Sequence, residues 1–292
     1  MSVDDFNSMV EETLRGSFDL HVHAAPDPDG PRRLDALDAA RYAQEAEMGG
    51  FVLKSHKYPT APLAYALGRM YPGLAVLGSV TLNREIGGLN PYAVEVAAGL
   101  GARVVWMPTH SARTGPVEGG RPPGISLLGD GGELRREVHE VLEVVAAGQM
   151  VLASGHVPPR EALALFAAAR AAGVRWMIAT HPTGVATTEE QQQMVSLGAF
   201  VEHTFLSCMP TRRRTTPQEM IASIRGLGVA HCLVTTDFGQ AVNPPPAEGM
   251  RMAIATLLDS GMEPGEVSTL VKGNPRRLAG LQDWAPELES RP

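Results

Sequence analysis

Cysteine is nearly missing from this chain. Cys208 and Cys232 are the only two in 292 residues. Two thiols make no disulfide framework, and both read as reduced. Excess positive charge is also lacking. The formal net charge is −7, which removes nucleic acid as an obvious partner. No apolar run is long enough to span a bilayer, so no membrane is expected as a partner. The N-terminus MSVDDFNSMVEETL is acidic, unlike a signal peptide. A cytoplasmic protein is the expectation. Low-complexity tracts and domain linkers are absent too. At 44% apolar content, residues 1–292 suffice for one large domain, or two small ones, with a sizeable core.

What the chain does have is a repeated alternation. Short apolar runs recur as SFDLHVH (17–23), FVLKSH (51–56), LAVLGSVTL (74–82), ARVVWMPTH (102–110), MVLASGH (150–156), VRWMIATH (174–181), AFVEHTF (199–205) and HCLVTTDF (231–238). Several are almost continuously apolar, as parallel strands buried on both faces are. Helical patterns separate them. LDALDAARYAQEAEMGG is amphipathic and stops at paired glycines. NPYAVEVAAGLGA, LRREVHEVLEVVAAGQ, REALALFAAARAAGV, TEEQQQMVSLGA and TPQEMIASIRGLGV repeat the form. Eight strand–helix alternations predict a single α/β domain, a (β/α)8 TIM barrel, with Met1 to Arg15 as an extra N-terminal helix. A doubly wound open sheet is the alternative.

Polar residues gather at the ends of these runs. His21 and His23 close the first, two apart and therefore on one face of a strand. Lys54 and His56 share the same spacing in the second. His110, His156 and His181 close the fourth, fifth and sixth. His203 lies near the end of the seventh and Asp237 near the end of the eighth. Each has an ordinary explanation alone. A strand-end histidine is commonly a hydrogen-bonded structural residue, Lys54 can extend to solvent, and Asp237 can cap a helix. Packing has no need to place histidines at one end of six strands. Convergent imidazoles and a carboxylate form a site for a metal ion, and barrel enzymes carry their sites at that end.

This arrangement resembles the amidohydrolase superfamily of metal-dependent hydrolases. The residues that carry the likeness are His21-Val22-His23, His156, His181 and Asp237. The stretch GNPRRLAGL, Gly273 to Leu281, is similar to a segment near the end of many members. The resemblance implies a divalent metal held by His21, His23, His156, His181 and Asp237. One departure stands out. Binuclear members take a carboxylated lysine or a glutamate from the fourth strand, and VVWMPTH has neither. Lys54 on the second strand is the substitute, as a carbamate ligand or as an ammonium that holds an anionic substrate. His110 could stand in for the missing ligand. One or two ions remain open, as do the phosphotriesterase-like and decarboxylase-like branches.

Neutral imidazoles and a carboxylate around zinc, or around manganese or iron, acidify a bound water. Asp237 would take its proton, His181 would bind metal or polarise a carbonyl, and His203 would support the ligands from behind or transfer protons. The expected reaction is hydrolysis of an amide, lactone, cyclic imide or ester of a small substrate. Two segments point to an anionic one. The long connection after the fourth run carries Arg113 and Arg121, and MPTRRRTTP after the seventh carries Arg212, Arg213 and Arg214. Substrate contacts are assigned to His56, His110, Arg113 and Arg212. A solvated arginine run, or a subunit contact in a homo-oligomer, is the alternative for these arginines. A metal-assisted lyase or decarboxylase, and a non-catalytic metal-binding barrel, are the other classes.

Overall fold

Each of the eight apolar runs contains a strand. In the computed structural model, which describes residues 2–114 and 123–281, these are β1 (Phe18–His23), β2 (Gly50–Lys54), β3 (Ala75–Thr81), β4 (Ala102–Trp106), β5 (Val151–Ala153), β6 (Trp176–Ala179), β7 (Ala199–Thr204) and β8 (Cys232–Thr235). The helices are α1 (Val3–Leu14), α2 (Ala36–Glu45), α3 (Ala61–Met70), α4 (Pro91–Gly99), α5 (Arg136–Ala147), α6 (Pro159–Ala171), α7 (Thr188–Ser196), α8 (Pro217–Leu227), α9 (Pro246–Asp259), α10 (Pro264–Ser268) and α11 (Asn274–Ala279). The strands form one sheet in the order β1-β2-β3-β4-β5-β6-β7-β8. A doubly wound sheet reverses its order at a switch point, and this one never does. Val22 pairs in parallel with Phe238, next to β8, so the last strand returns to the first. The fold is a (β/α)8 barrel.

The division into compact units falls within β2, β3 and β7. One unit holds the described residues of Met1–Leu53, Pro62–Leu77 and His203–Pro292; the other holds Lys54–Ala61 and Gly78–Glu202. In the first unit, β2 and β3 run parallel, with Phe51 opposite Val76. β1 and β8 are buried along their whole length. The extra helix α1 lies against α9, where Arg251 Nε donates to Glu11 Oε1 at 2.6 Å. Asn274 gives the GNPRRLAGL segment a structural role. Its Nδ2 donates to the carbonyls of Cys232 at 2.6 Å and Val229 at 2.9 Å, fixing the entry to β8.

In the second unit, β4, β5 and β6 pair in parallel, with Val105 opposite Leu152 and Leu152 opposite Met177. Helix α5 buries Val138, Val141, Leu142 and Val145, one stripe at helical spacing. Each such side chain contributes about 1.5–3 kcal/mol by leaving water. β5 is shorter than its apolar run because the chain bends at Gly155, whose φ is 64°. A Cβ there would sit 2.2 Å from the Met107 carbonyl oxygen, so only glycine fits. No helix among the described residues is long and apolar enough to cross a membrane.

Candidate metal centre

Strand alternation puts Asp19, His21 and His23 on one face of β1. Asp19 is fully buried and is held by three donors. It accepts the His21 and Thr236 backbone N–H groups, each at 3.1 Å, and the Thr236 hydroxyl at 2.5 Å. Burial pushes its carboxyl up to about 7, although the hydrogen bonds from Thr236 and His21 and the charge of His21 pull the other way. The same two segments are stitched further along. Asp237 N–H donates to the His21 carbonyl at 3.0 Å, and His23 N–H donates to the Phe238 carbonyl at 2.8 Å.

This pairing delivers three ligand atoms to one point. Asp237 Oδ1 lies 3.2 Å from His21 Nε2 and 3.3 Å from His23 Nε2. The two imidazoles stand 5.3 Å apart at 53°. All three ligand atoms lie within 4.8 Å of one another. Bonds of roughly 2.0–2.1 Å to zinc separate neighbouring tetrahedral ligands by about 3.3 Å, so the donor spacing fits a divalent ion. The histidines are buried, whereas the Asp237 side chain is 16% exposed, which leaves an approach from its side. Two backbone features support the cluster. Asp237 sits in the left-handed region at φ 56°. Gly239, at φ 144°, lies so close to His23 that a Cβ would stand 2.1 Å from its carbonyl oxygen.

His203 and Arg212 belong to this unit as well. His203 is buried near the end of β7. Arg212, Arg213 and Arg214 are exposed on a turn pinned by N–H donation to Met209 and Ser207 carbonyls at 2.9 Å.

The second unit holds further residues that the sequence singles out. Lys54, at the end of β2, is 1% exposed, with Nζ 4.0 Å from the centroid of the Trp106 ring. That is a desolvated cation–π contact. His56 lies beyond the strand end, so its direction follows from contacts rather than alternation. Its Nδ1 is 2.8 Å from Thr109 Oγ1. His110 is exposed and stacks on His56 at 3.7 Å and 25°. His156 stands 6.2 Å from His56, 6.1 Å from His110 and 5.0 Å from His181. His181 is in the left-handed region at φ 30°, and its N–H donates to Glu202 Oε2 at 3.2 Å. Arg113 is exposed, its N–H donating to the Ile125 carbonyl at 2.9 Å. Arg121 lies outside the described residues.

Three residues that hold these side chains or their backbone escaped the sequence reading: Asp19, Thr109 and Glu202. Asp19 had a signal, since it shares the alternation of His21 and His23. Thr109 carries no charge and no metal-ligand pattern, so nothing in the sequence set it apart.

The likeness to known structures is one of fold. An amidohydrolase from Pseudomonas aeruginosa aligns with a TM-score of 0.64 at 13% identity, over 94% of this chain and 98% of that one. A phosphotriesterase homology protein from Escherichia coli, complexed with phosphate in its active site, gives 0.61 at 15%, over 91% and 99%. A 2,6-dihydroxybenzoate decarboxylase complexed with 2,6-dihydroxybenzoate gives 0.61 at 13%, over 91% and 100%. These neighbours share the fold that the strand–helix alternation predicts. No curated protein matches the sequence significantly. A family model described as "Family of unknown function (DUF6282)" matches residues 16–202, more than half of the chain. The chain belongs to that family.

Proposed function

We propose that the protein is a metal-dependent hydrolase that opens an amide, lactone, cyclic imide or ester bond in a small anionic substrate. The convergence of His21 Nε2, His23 Nε2 and Asp237 Oδ1 carries this reading. A divalent ion held there, with zinc as the first choice and manganese or iron as alternatives, supplies an acidified water and a Lewis acid. His21 and His23 hold the ion as neutral imidazoles, from a strand that Asp19 fastens to Thr236. Asp237 is the one partly exposed member, and its carboxylate accepts the proton of the attacking water and returns it to the leaving group. In the second unit, His181 is an acid–base group and His56 and His110 bind substrate. Lys54, over Trp106, is read as an ammonium. The exposed arginines Arg113 and Arg212 attract an anionic substrate.

A metal-assisted lyase or decarboxylase is the alternative that the same ligand set permits. Elemental analysis of the wild type and of the His21→Ala/His23→Ala double variant tests the metal. Unchanged metal content in the double variant removes the reading. A screen of lactones, cyclic imides and small anionic amides in isotopically labelled water then tests the bond. Label in the product supports hydrolysis, and turnover without label moves the assignment to a lyase.

A further inference from the structure

Asn83 is fully buried just past β3, and its amide is completely used. Oδ1 accepts the N–H groups of Thr109 at 2.8 Å and Ser111 at 3.1 Å. Nδ2 donates to the His56 carbonyl at 3.0 Å and to Thr109 Oγ1 at 2.7 Å. Both amide protons and both oxygen lone pairs have partners. The partners also fix which end of the amide is which, since a flipped Nδ2 would face two N–H donors. Thr109 Oγ1 therefore accepts from Asn83. Its own proton is left to serve the polar atom 2.8 Å away, His56 Nδ1. A neutral imidazole that accepts at Nδ1 carries its proton on Nε2.

The network joins the chain beyond β2, β3 and β4, at the end of the strands where barrel enzymes place their sites. A purely structural tie would not need to define the proton position on an imidazole. His110, stacked on His56 at 3.7 Å, limits the tilt of the ring. We infer that Asn83 and Thr109 are positioning residues that fix His56 as an Nε2–H donor to an oxygen of the substrate, a carbonyl or carboxylate. The substrate half of this statement rests on the hydrolase reading; the tautomer half does not.

Long-range proton–nitrogen spectra of the full chain, supplied with zinc, test both halves. They are recorded at alkaline pH, where imidazole is neutral, with His56 assigned by the loss of its signals in His56→Gln. The expected wild-type pattern is a protonated Nε2 and an unprotonated Nδ1. Thr109→Ser keeps that pattern, and Thr109→Val, which removes the hydroxyl but not the shape, loses it. Asn83→Asp converts the amide donors into acceptors and draws the Thr109 proton toward itself, so the two His56 nitrogen resonances exchange places. If Asn83→Asp fails to fold, the Thr109 pair decides. Acetate, a simple carboxylate, shifts the His56 Nε2 signal in the wild type and not in the variant with exchanged resonances. A wild-type proton on Nδ1, or a pattern untouched by Thr109→Val, overturns the positioning role. An acetate-blind His56 overturns the substrate role. The tautomer result stands or falls whether or not any ester or amide is hydrolysed.

Discussion

Asp19 Oδ2 receives the Thr236 hydroxyl at 2.5 Å, from a residue 217 positions away in the chain. This contact fastens the first strand to the last, immediately beneath the residues that converge on the metal centre. Burial raises the Asp19 carboxyl from 3.8 to about 7. The folded chain thus keeps a proton there that the unfolded chain releases above its ordinary value. The stability from this group is fully present below the unfolded value and is lost as pH rises through about 7. In chelator-stripped protein, the wild type should gain on Asp19→Asn as pH falls from roughly 8 to roughly 5.5. Urea midpoints measure the gap, and a gap independent of pH contradicts the assignment.

Asp237→Asn keeps the shape of the side chain and removes the base. On a confirmed substrate, activity should fall by a factor of about 100 or more. Circular dichroism should report an unchanged fold, because Asp237 lies at the rim beyond β8 rather than in the core. An unfolded variant would make the residue structural. Near-full activity would remove it as the base.

Gly239→Ala is the sharpest backbone test of the centre. The added methyl group would meet the His23 carbonyl oxygen at 2.1 Å and the His23 Cβ at 2.5 Å, at a φ that side chains avoid. The strain, about 1–3 kcal/mol, should lower the melting temperature. Displacement of His23 should weaken metal retention in competition with a chelator. Equal retention in both proteins would show that His23 is not a ligand.

The thiols should be inert. Burial pushes Cys208 up to about 11, with the charge of Glu219 adding to it, and Cys232 up to about 12. Neither forms appreciable thiolate at neutral pH. Alkylation with iodoacetamide should be negligible in native protein and complete in denaturant. Rapid native labelling of either cysteine would contradict this.

The barrel was legible because its strands are buried on both faces and announce themselves as apolar runs. The metal cluster was legible for a related reason. His21 and His23 obey the strand period, and Asp237 lies near the end of the last run. That logic stops where the strands stop. β2 ends at Lys54, so alternation could not orient His56, whose direction depends on Thr109, 53 residues away. Neither the stack of His56 on His110 nor the seat of Lys54 over Trp106 follows from periodicity. Both depend on contacts between strands that only the folded chain brings together.

The closure of β8 on β1 also sets an order of events during synthesis. Two ligand atoms come from positions 21 and 23, and the third from position 237. A nascent chain that has emerged only through β7 holds a pair of imidazoles without their carboxylate. The complete set of donors exists only after the last strand leaves the ribosome and docks beside the first. An ion held by these three donors would therefore report β8 docked beside β1, and an ion bound to folded but not unfolded chain would hold that pairing together.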